Sequence, residues 1–478
     1  MHFKLSSVFW VAVCFVVNLA CSPESACISG FLGQASKATR IHITQGHVKP
    51  DPIAFVTLFG ETAAEQEIGE QFTKVIMADL CGCGLFIAIP KTSFTQSPAV
   101  LARSEPRMQD WRLVKARFLV CGSVKSTGGS YEITVRVYDI NCALKLTVFS
   151  VTVHRQAIRK AAHMAADQIF TRLTGESGMF NTQLVYVETA PAKVVKGKKL
   201  TYLRTLKLMD QDGHNVVSLT SGDDLVMTPR HSPDGQTIAV LVYKTEGTGR
   251  AKRRSANVFL LDVGTRRQRP LLTQEHFNAI ARANGGAHVN MTYAPRFSPD
   301  GRSICFALII NGKSAIYTMN TVEGRIRRLT DHTSIDTSPA YSPDGRSIVF
   351  TSDRSGKEKV YIMNADGSNV RRITNNEGKY SQPVFSPRGD FIAFSKQIGG
   401  QFFIGVVRPN GTEERVIVQC YLAEAPCWSP NGRYIVFTRQ SGPRAPRKIC
   451  MIDLTGFFMR EINTKKDAYD CSWSPVQQ

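Results

Sequence analysis

The 478-residue sequence predicts an α/β N-terminal domain followed by a six-bladed β-propeller. Three observations predict it: a Ser-Pro turn that recurs six times, a strand-helix pattern in the first third, and a last Ser-Pro with no strand after it. The turns are Ser232-Pro233-Asp234-Gly235, Ser298-Pro299-Asp300-Gly301, Ser342-Pro343-Asp344-Gly345, Ser386-Pro387-Arg388-Gly389, Ser429-Pro430-Asn431-Gly432 and Ser474-Pro475. Their spacings are 66, 44, 44, 43 and 45 residues. A period in the forties with a tight hairpin signal in each unit marks a propeller, whose blades hold about four strands each.

The N-terminus reads as a signal peptide over residues 1–20. His2 and Lys4 precede an apolar run from Leu5 to Ala20, the length of a secretory core and short for a transmembrane helix. Leu19-Ala20-Cys21 partly matches a lipoprotein signal, which would lipidate Cys21, but Asn18 stands where that pattern wants an apolar residue. Cleavage after Ala20 or Ala26 by an ordinary signal peptidase is the preferred reading. Past this run the chain holds no apolar stretch long enough for a transmembrane span. Of the 12 cysteines, Cys14 and Cys21 fall in or beside the signal, and the other ten are an even number in an oxidising compartment. Cys420 and Cys427 flank one blade entry and are placed to pair across it, whereas Cys81-Gly82-Cys83 is too tight for a mutual bridge.

Residues 41–175 read as the α/β domain. Ile53 to Phe59 has a buried-strand pattern, and Ile68, Phe72, Val75, Ile76 and Leu80 then share one helical face that stops at Gly82. Three antiparallel strands follow at 118–124, 133–140 and 146–153, the first two joined by Gly128-Gly129. A closing helix over 156–173 turns Ile158, Ala162, Ala165, Ile169 and Leu173 inward and ends before Gly175.

The propeller is expected over 179–478. In one unit, Pro343 fixes φ and Gly345 takes the positive φ of a tight turn between two apolar strands. Val360 to Met363, a turn at Asp366-Gly367 and Val370 to Thr374 complete four strands. The strand after each Ser-Pro recurs at Ile238, Ile304, Ile348, Ile392 and Ile435, but Ser474-Pro475 runs into the C-terminus. Its partner is the unpaired strand Gln183 to Val187, so the C-terminal strand closes the ring and removes an open sheet edge. The first spacing of 66 against 44 leaves 22 additional residues, placed within 247–257 and 273–292.

Topology puts the Ser-Pro hairpins on one face of the ring. The loops from each outer strand to the next inner strand lie on the other, around the axis. Those loops include 225–228 and offer Thr292, Tyr293, Asp336, Thr337, Tyr380, Ser381, Glu424, Tyr469 and Asp470, a mix of aromatic anchors and acceptors suited to the centre of a protein interface.

Ile41-His42-Ile43-Thr44-Gln45-Gly46, the helix start Ala64-Glu65-Gln66-Glu67-Ile68-Gly69, Gly122-Ser123-Val124 and Leu173-Thr174-Gly175 followed by Leu184-Val185-Tyr186-Val187 resemble, in this order, the amino-terminal half of the TolB family. The Ser-Pro-Asp-Gly turns extend the resemblance over the rest of the chain. It implies a periplasmic component of the Tol-Pal system that binds the peptidoglycan-associated lipoprotein Pal at the propeller and TolA through a mobile N-terminal segment, here 27–40. It further implies a role in outer-membrane integrity and in envelope invagination at cell division.

Other classes fit less well. Propellers also bind or hydrolyse glycans and peptides, but the chain has no Gly-x-Ser-x-Gly elbow, and the repeated Asp234, Asp300 and Asp344 read as turn chemistry rather than catalysis. Histidines are scattered and no Cys-x-x-Cys occurs, so neither a metal nor a cofactor is expected. The formal net charge of +20, with Arg250, Lys252, Arg253 and Arg254 clustered, raises nucleic-acid binding; export argues against it. Arg327-Arg328 and Arg371-Arg372 read as charges that blunt outer edges.

Overall fold

The computed structural model describes residues 49–191, 202–222, 224–246, 253–331 and 333–477. The expected signal peptide, Cys21, the segment 27–40, residues 41–48, and the basic residues Arg250 and Lys252 lie outside them.

The first part is a five-stranded sheet with helices on both faces. Strand β1 (Asp51–Phe55) runs parallel to both β2 (Phe86–Ala88) and β3 (Phe118–Thr127). Strands β4 (Ser130–Asp139) and β5 (Leu144–Val153) continue antiparallel, giving the order β2-β1-β3-β4-β5. Helix α1 (Ala63–Cys81) opens with a capping box: the Thr62 hydroxyl accepts from the Glu65 N–H while the Glu65 carboxylate accepts from the Thr62 N–H. The expected face of α1, from Ile68 to Leu80, is buried. Two short helices that the sequence reading did not place, α2 (Pro98–Arg103) and α3 (Met108–Leu113), precede β3. Helix α4 (Ile158–Thr174) ends on Gly175, whose φ of 73° closes a left-handed cap.

Strand alternation sorts the core. Ile53 and Phe55 pack with Phe72, Ile76 and Ile169 from α1 and α4, while Ala54 and Val56 pack with Leu101 and Trp111 from α2 and α3.

The remainder is a ring of antiparallel sheets. Three four-stranded meanders start at Asp336–Tyr341, Lys379–Phe385 and Leu422–Trp428. An eight-stranded sheet holds two further meanders, starting at Leu225–His231 and Val289–Phe297, joined by a single parallel bridge between Ala256 and Met291. The last sheet combines the two ends of the region: Asp467–Trp473 lies against Gln183–Pro191, with Trp473 opposite Leu184 and Tyr469 opposite Val187. Trp473 Nε1 donates to the Thr182 hydroxyl at 2.7 Å, and the Gln183 N–H donates to Ser474 Oγ at 2.8 Å. Each inner strand touches the next and the last touches the first, so the region is propeller-type.

Four of the Ser-Pro turns are built alike. Ser342 Oγ donates to Asp344 at 2.6 Å, the Ser347 N–H donates back to Ser342 Oγ at 2.9 Å, and Gly345 adopts a φ of +71°. Asp234 and Asp300 are held in the same way, and Asn431 stands in at the turn of Ser429. In the Arg388 turn, Asp390 accepts the Ser386 hydroxyl instead. The outer arginines do more than charge an edge: Arg327 donates to the Ala365 carbonyl at 3.1 Å and Arg371 to the Pro409 carbonyl at 2.8 Å, each bracing the following sheet.

The nine described cysteines are all free, which corrects the expected Cys420–Cys427 bridge. Cys420 ends an outer strand, whereas Cys427 sits on an inner strand with its sulfur accepting from the Trp473 N–H, so the two thiols serve different parts of the ring. The helix Gln274–Ala283 occupies part of the additional residues after 273.

The α/β domain sits on the Ser-Pro side of three sheets. Tyr434 Oη donates to the Cys83 carbonyl at 2.8 Å, Asn431 to the Ser177 carbonyl at 3.0 Å, and Arg388 and Arg433 both pair with Glu176. At the centre of the seam, His163 of α4 is buried, with Nδ1 2.6 Å from the carboxylate of Asp79 on α1. Gln211 Nε2 donates to the same carboxylate at 2.8 Å, and Arg460 donates to Gln211 at 2.9 Å. The other nitrogen, Nε2, lies 3.9 Å from each of Asp210 and Asp212 on the ring and makes no hydrogen bond. Asp79, His163 and Asp212 bring ligating atoms within 4.8 Å of one another, but the Arg159 guanidinium already holds Asp212, so the cluster carries its own cation.

Burial opposes the His163 imidazolium, yet the hydrogen bond and charge of Asp79 with the charge of Asp212 outweigh it, and the pKa rises above 6.5. A raised folded value means the stabilisation is complete below the unfolded value and is lost as pH rises through the folded one. The thermal-midpoint gap between the wild-type chain and His163→Gln is therefore expected to be widest near pH ~6 and to narrow toward pH ~9; a gap that grows with pH contradicts the assignment. Trp473→Ala, which empties the closing contact, is expected to cost about 3–5 kcal/mol in urea unfolding.

Candidate binding face around the ring axis

Each inner strand is broken by a β-bulge at one equivalent place. Pairing with the second strand shifts after Met227, Tyr293, Thr337, Ser381, Glu424 and Tyr469, leaving two residues opposite one. The residue at each shift has a left-handed backbone: Thr228 (47°), Ala294 (52°), Ser338 (51°), Gln382 (52°), Ala425 (55°) and Asp470 (52°). All but Asp470 are followed by proline, which has no N–H to leave unpaired inside the bulge. A non-glycine residue at positive φ is strained by roughly 1–2 kcal/mol, and a ring of such residues persists only because neighbouring sheets hold it.

The side chains at the bulges supply part of that hold. Gln382 Oε1 accepts from the Ala425 N–H at 2.7 Å, and the Asp470 carboxylate accepts from the Thr228 N–H at 3.2 Å. In both cases the bulge of one sheet caps the bulge of the next. Ala425 has no acceptor to offer, and the Asp470 N–H goes instead to the Thr438 hydroxyl at 3.0 Å.

The bulge sorts the expected interface residues into two groups. Two positions before it, Thr292, Asp336 and Tyr380 are fully buried, which corrects their reading as surface contacts. Thr292 Oγ1 accepts from the Val258 N–H at 2.9 Å, and the Asp336 carboxylate accepts from Arg354 Nη2 at 2.9 Å. Tyr380 donates to Glu414 at 2.5 Å while the ammonium groups of Lys359 and Lys396 lie 4.8 and 4.7 Å from its ring. These three side chains are spent on contacts within the ring and present nothing to a partner.

One position before the bulge, the pleat turns side chains the other way. Tyr293, Thr337 and Glu424 are half-buried and Ser381 is exposed, with Met227 in the corresponding place on the strand Leu225–His231. Tyr469 is the exception: it is buried, with the Arg447 guanidinium 3.8 Å from its ring and that arginine paired to Asp467. Asp470 is buried at the bulge itself. Burial, and then the nearby Asp470 charge, hold the Glu424 carboxyl above the usual carboxylate range. The accessible group around the axis is thus Met227, Tyr293, Thr337, Ser381 and Glu424. Met227 lies in the expected loop 225–228 but was not singled out there, since it carries neither charge nor aromatic ring.

Fold and face together define a two-domain propeller protein whose α/β domain packs on the Ser-Pro side of part of the ring, away from the bulges. Comparison with known proteins narrows this class. The model of the TolB amino-terminal domain matches residues 39–146, and that of the TolB beta propeller domain matches 170–477. The Tol-Pal system protein TolB of Rickettsia rickettsii is 37% identical over 449 residues, covering 91% of this chain and 95% of its own, and that of Rickettsia massiliae is 38% identical over the same span. The crystal structure of TolB from Acinetobacter baumannii superposes with a TM-score of 0.74 at 25% identity, covering 89% of this chain and 97% of that one. The chain belongs to the TolB family.

Gln382→Leu strands the Ala425 N–H and is expected to lower stability by about 1–3 kcal/mol in denaturant titration, whereas Asp470→Asn, which keeps an acceptor for Thr228, is expected to cost less than half of that.

Proposed function

We propose that this chain is a non-enzymatic interaction scaffold of the Tol-Pal system, exported to the periplasm, which binds Pal on the bulged face of the ring and TolA through its N-terminal segment. The observation that carries the reading is the match of both domains, in order and over nine-tenths of the chain, to proteins named for that system. In this reading the ring has six blades, the eight-stranded sheet counting as two. Residues 1–20 are the signal peptide, 27–40 the mobile segment, 41–175 the α/β domain and 179–478 the propeller. Among the described residues no helix is long and apolar enough to cross a membrane, which suits a peripheral envelope protein acting in outer-membrane integrity and invagination at division. Each recurring aspartate is engaged by its own turn, which supports a scaffold over a hydrolase.

Pal recognition rests on Tyr293, Thr337, Ser381 and Glu424, with Thr292, Asp336, Tyr380, Tyr469 and Asp470 as the frame that holds them. Glu424→Arg and Tyr293→Ala are each expected to weaken capture of Pal by about tenfold or more, the effect of losing an interface anchor, while Tyr380→Phe leaves it unchanged. Normal binding by both of the first two variants removes the face from consideration. Deleting residues 27–40 is expected to abolish TolA binding and spare Pal binding; retention of TolA would show that the contact lies elsewhere.

A further inference from the structure

A cavity opens on the Ser-Pro side of the axis, opposite the proposed Pal face. Its volume is about 440 Å³ and every inner strand contributes to its wall, with a rim of prolines that includes Pro233, Pro299 and Pro343. Deeper, the wall offers Arg230, Arg296, Cys427 and Ser472. No aspartate or glutamate lines it.

Arg230 is only 6% exposed, yet among the described residues it has no ion-pair partner. Its Nη1 donates to the Pro229 carbonyl at 2.6 Å, which satisfies one donor of a group that carries five. The carboxylate of Asp470, on the adjoining inner strand, is turned to the Thr228 N–H instead. Cys427 supplies no compensating thiolate, because burial pushes its thiol above the ordinary value, and Cys471 is raised further in the same way. Arg296, partly exposed on the next inner strand, likewise lacks a carboxylate partner among the described residues. His231, also in the wall, leaves Nδ1 buried without a hydrogen bond.

A guanidinium taken out of water without a counter-ion is costly, and natural proteins retain such a group where an anion completes it. We propose that this cavity is a binding site for a compact oxyanion, a carboxylate or a phosphate, held by Arg230 and Arg296. The forked guanidinium geometry suits both anions. The volume leaves room for the molecule that carries the oxyanion, and the proline and aromatic wall suits an apolar stem behind it.

The test is calorimetric titration of the mature chain with sodium phosphate and, separately, sodium acetate, ionic strength being held constant with sodium chloride. Saturable binding of at least one is expected, with affinity about tenfold or more lower in Arg230→Met and in Arg296→Met, and unchanged in Arg302→Met on the exposed turn. Binding of phosphate alone or acetate alone identifies the source class and supports the site. Absence of saturable binding by either anion overturns the proposal, as does wild-type affinity in both variants. Should Arg230→Met fail to fold, Arg296→Met decides alone, and undiminished affinity there overturns it.

Discussion

The ring depends on one strand pairing. Asp467–Trp473 is the inner strand of a sheet whose other strands lie nearly the whole length of the region away in sequence, and its hydrogen bonds with Gln183–Pro191 are what make a row of sheets into a closed one. Without it Gln183–Pro191 would present an edge of unpaired N–H and C=O groups, the arrangement that invites association with other chains. The Trp473 indole and the Thr182 and Ser474 hydroxyls fix the register there. Closure also sets the α/β domain in place, because the same strand joins the apolar cluster shared by the two parts.

The seam between those parts is unusual in burying charge. Asp79, His163, Arg159, Asp210 and Asp212 form a network in which most charges have a partner of opposite sign from another element. Such a network adds little to net stability compared with apolar packing, but it penalises any relative placement in which one member is left alone. It acts as a registration device between a helical domain and a ring that share no covalent link other than the stretch after Gly175.

Much of the ring was legible because turn chemistry is local. Pro343 and Gly345 announce a hairpin whatever surrounds them, and a fixed period gives the rest. The faces of α1 and α4 were legible from helical spacing. Helices α2 and α3 were not, since six residues are too few to show a period. The interface residues were half legible. The loops were found, but alternation across a bulge decides which of two neighbours is buried, and Tyr380 fell on the wrong side of it. A signal was present: Thr228-Pro229, Ala294-Pro295, Ser338-Pro339, Gln382-Pro383 and Ala425-Pro426 place a proline where only a bulge tolerates one within a paired strand. The network around His163 had no sequence signature, since its members lie on elements brought together only by the tertiary fold.

The closing strand has a temporal consequence. Gln183 and Ser474 are 291 residues apart, so their contact forms only after nearly the whole propeller has been delivered. Until then each sheet can fold on its local hairpins while the edge of Gln183–Pro191 stays unpaired. A chain cut short by even the final ten residues keeps all of its earlier hairpins and lacks only the closure. Closure of the ring is thus reported by the strand Asp467–Trp473, a step that no earlier segment can make.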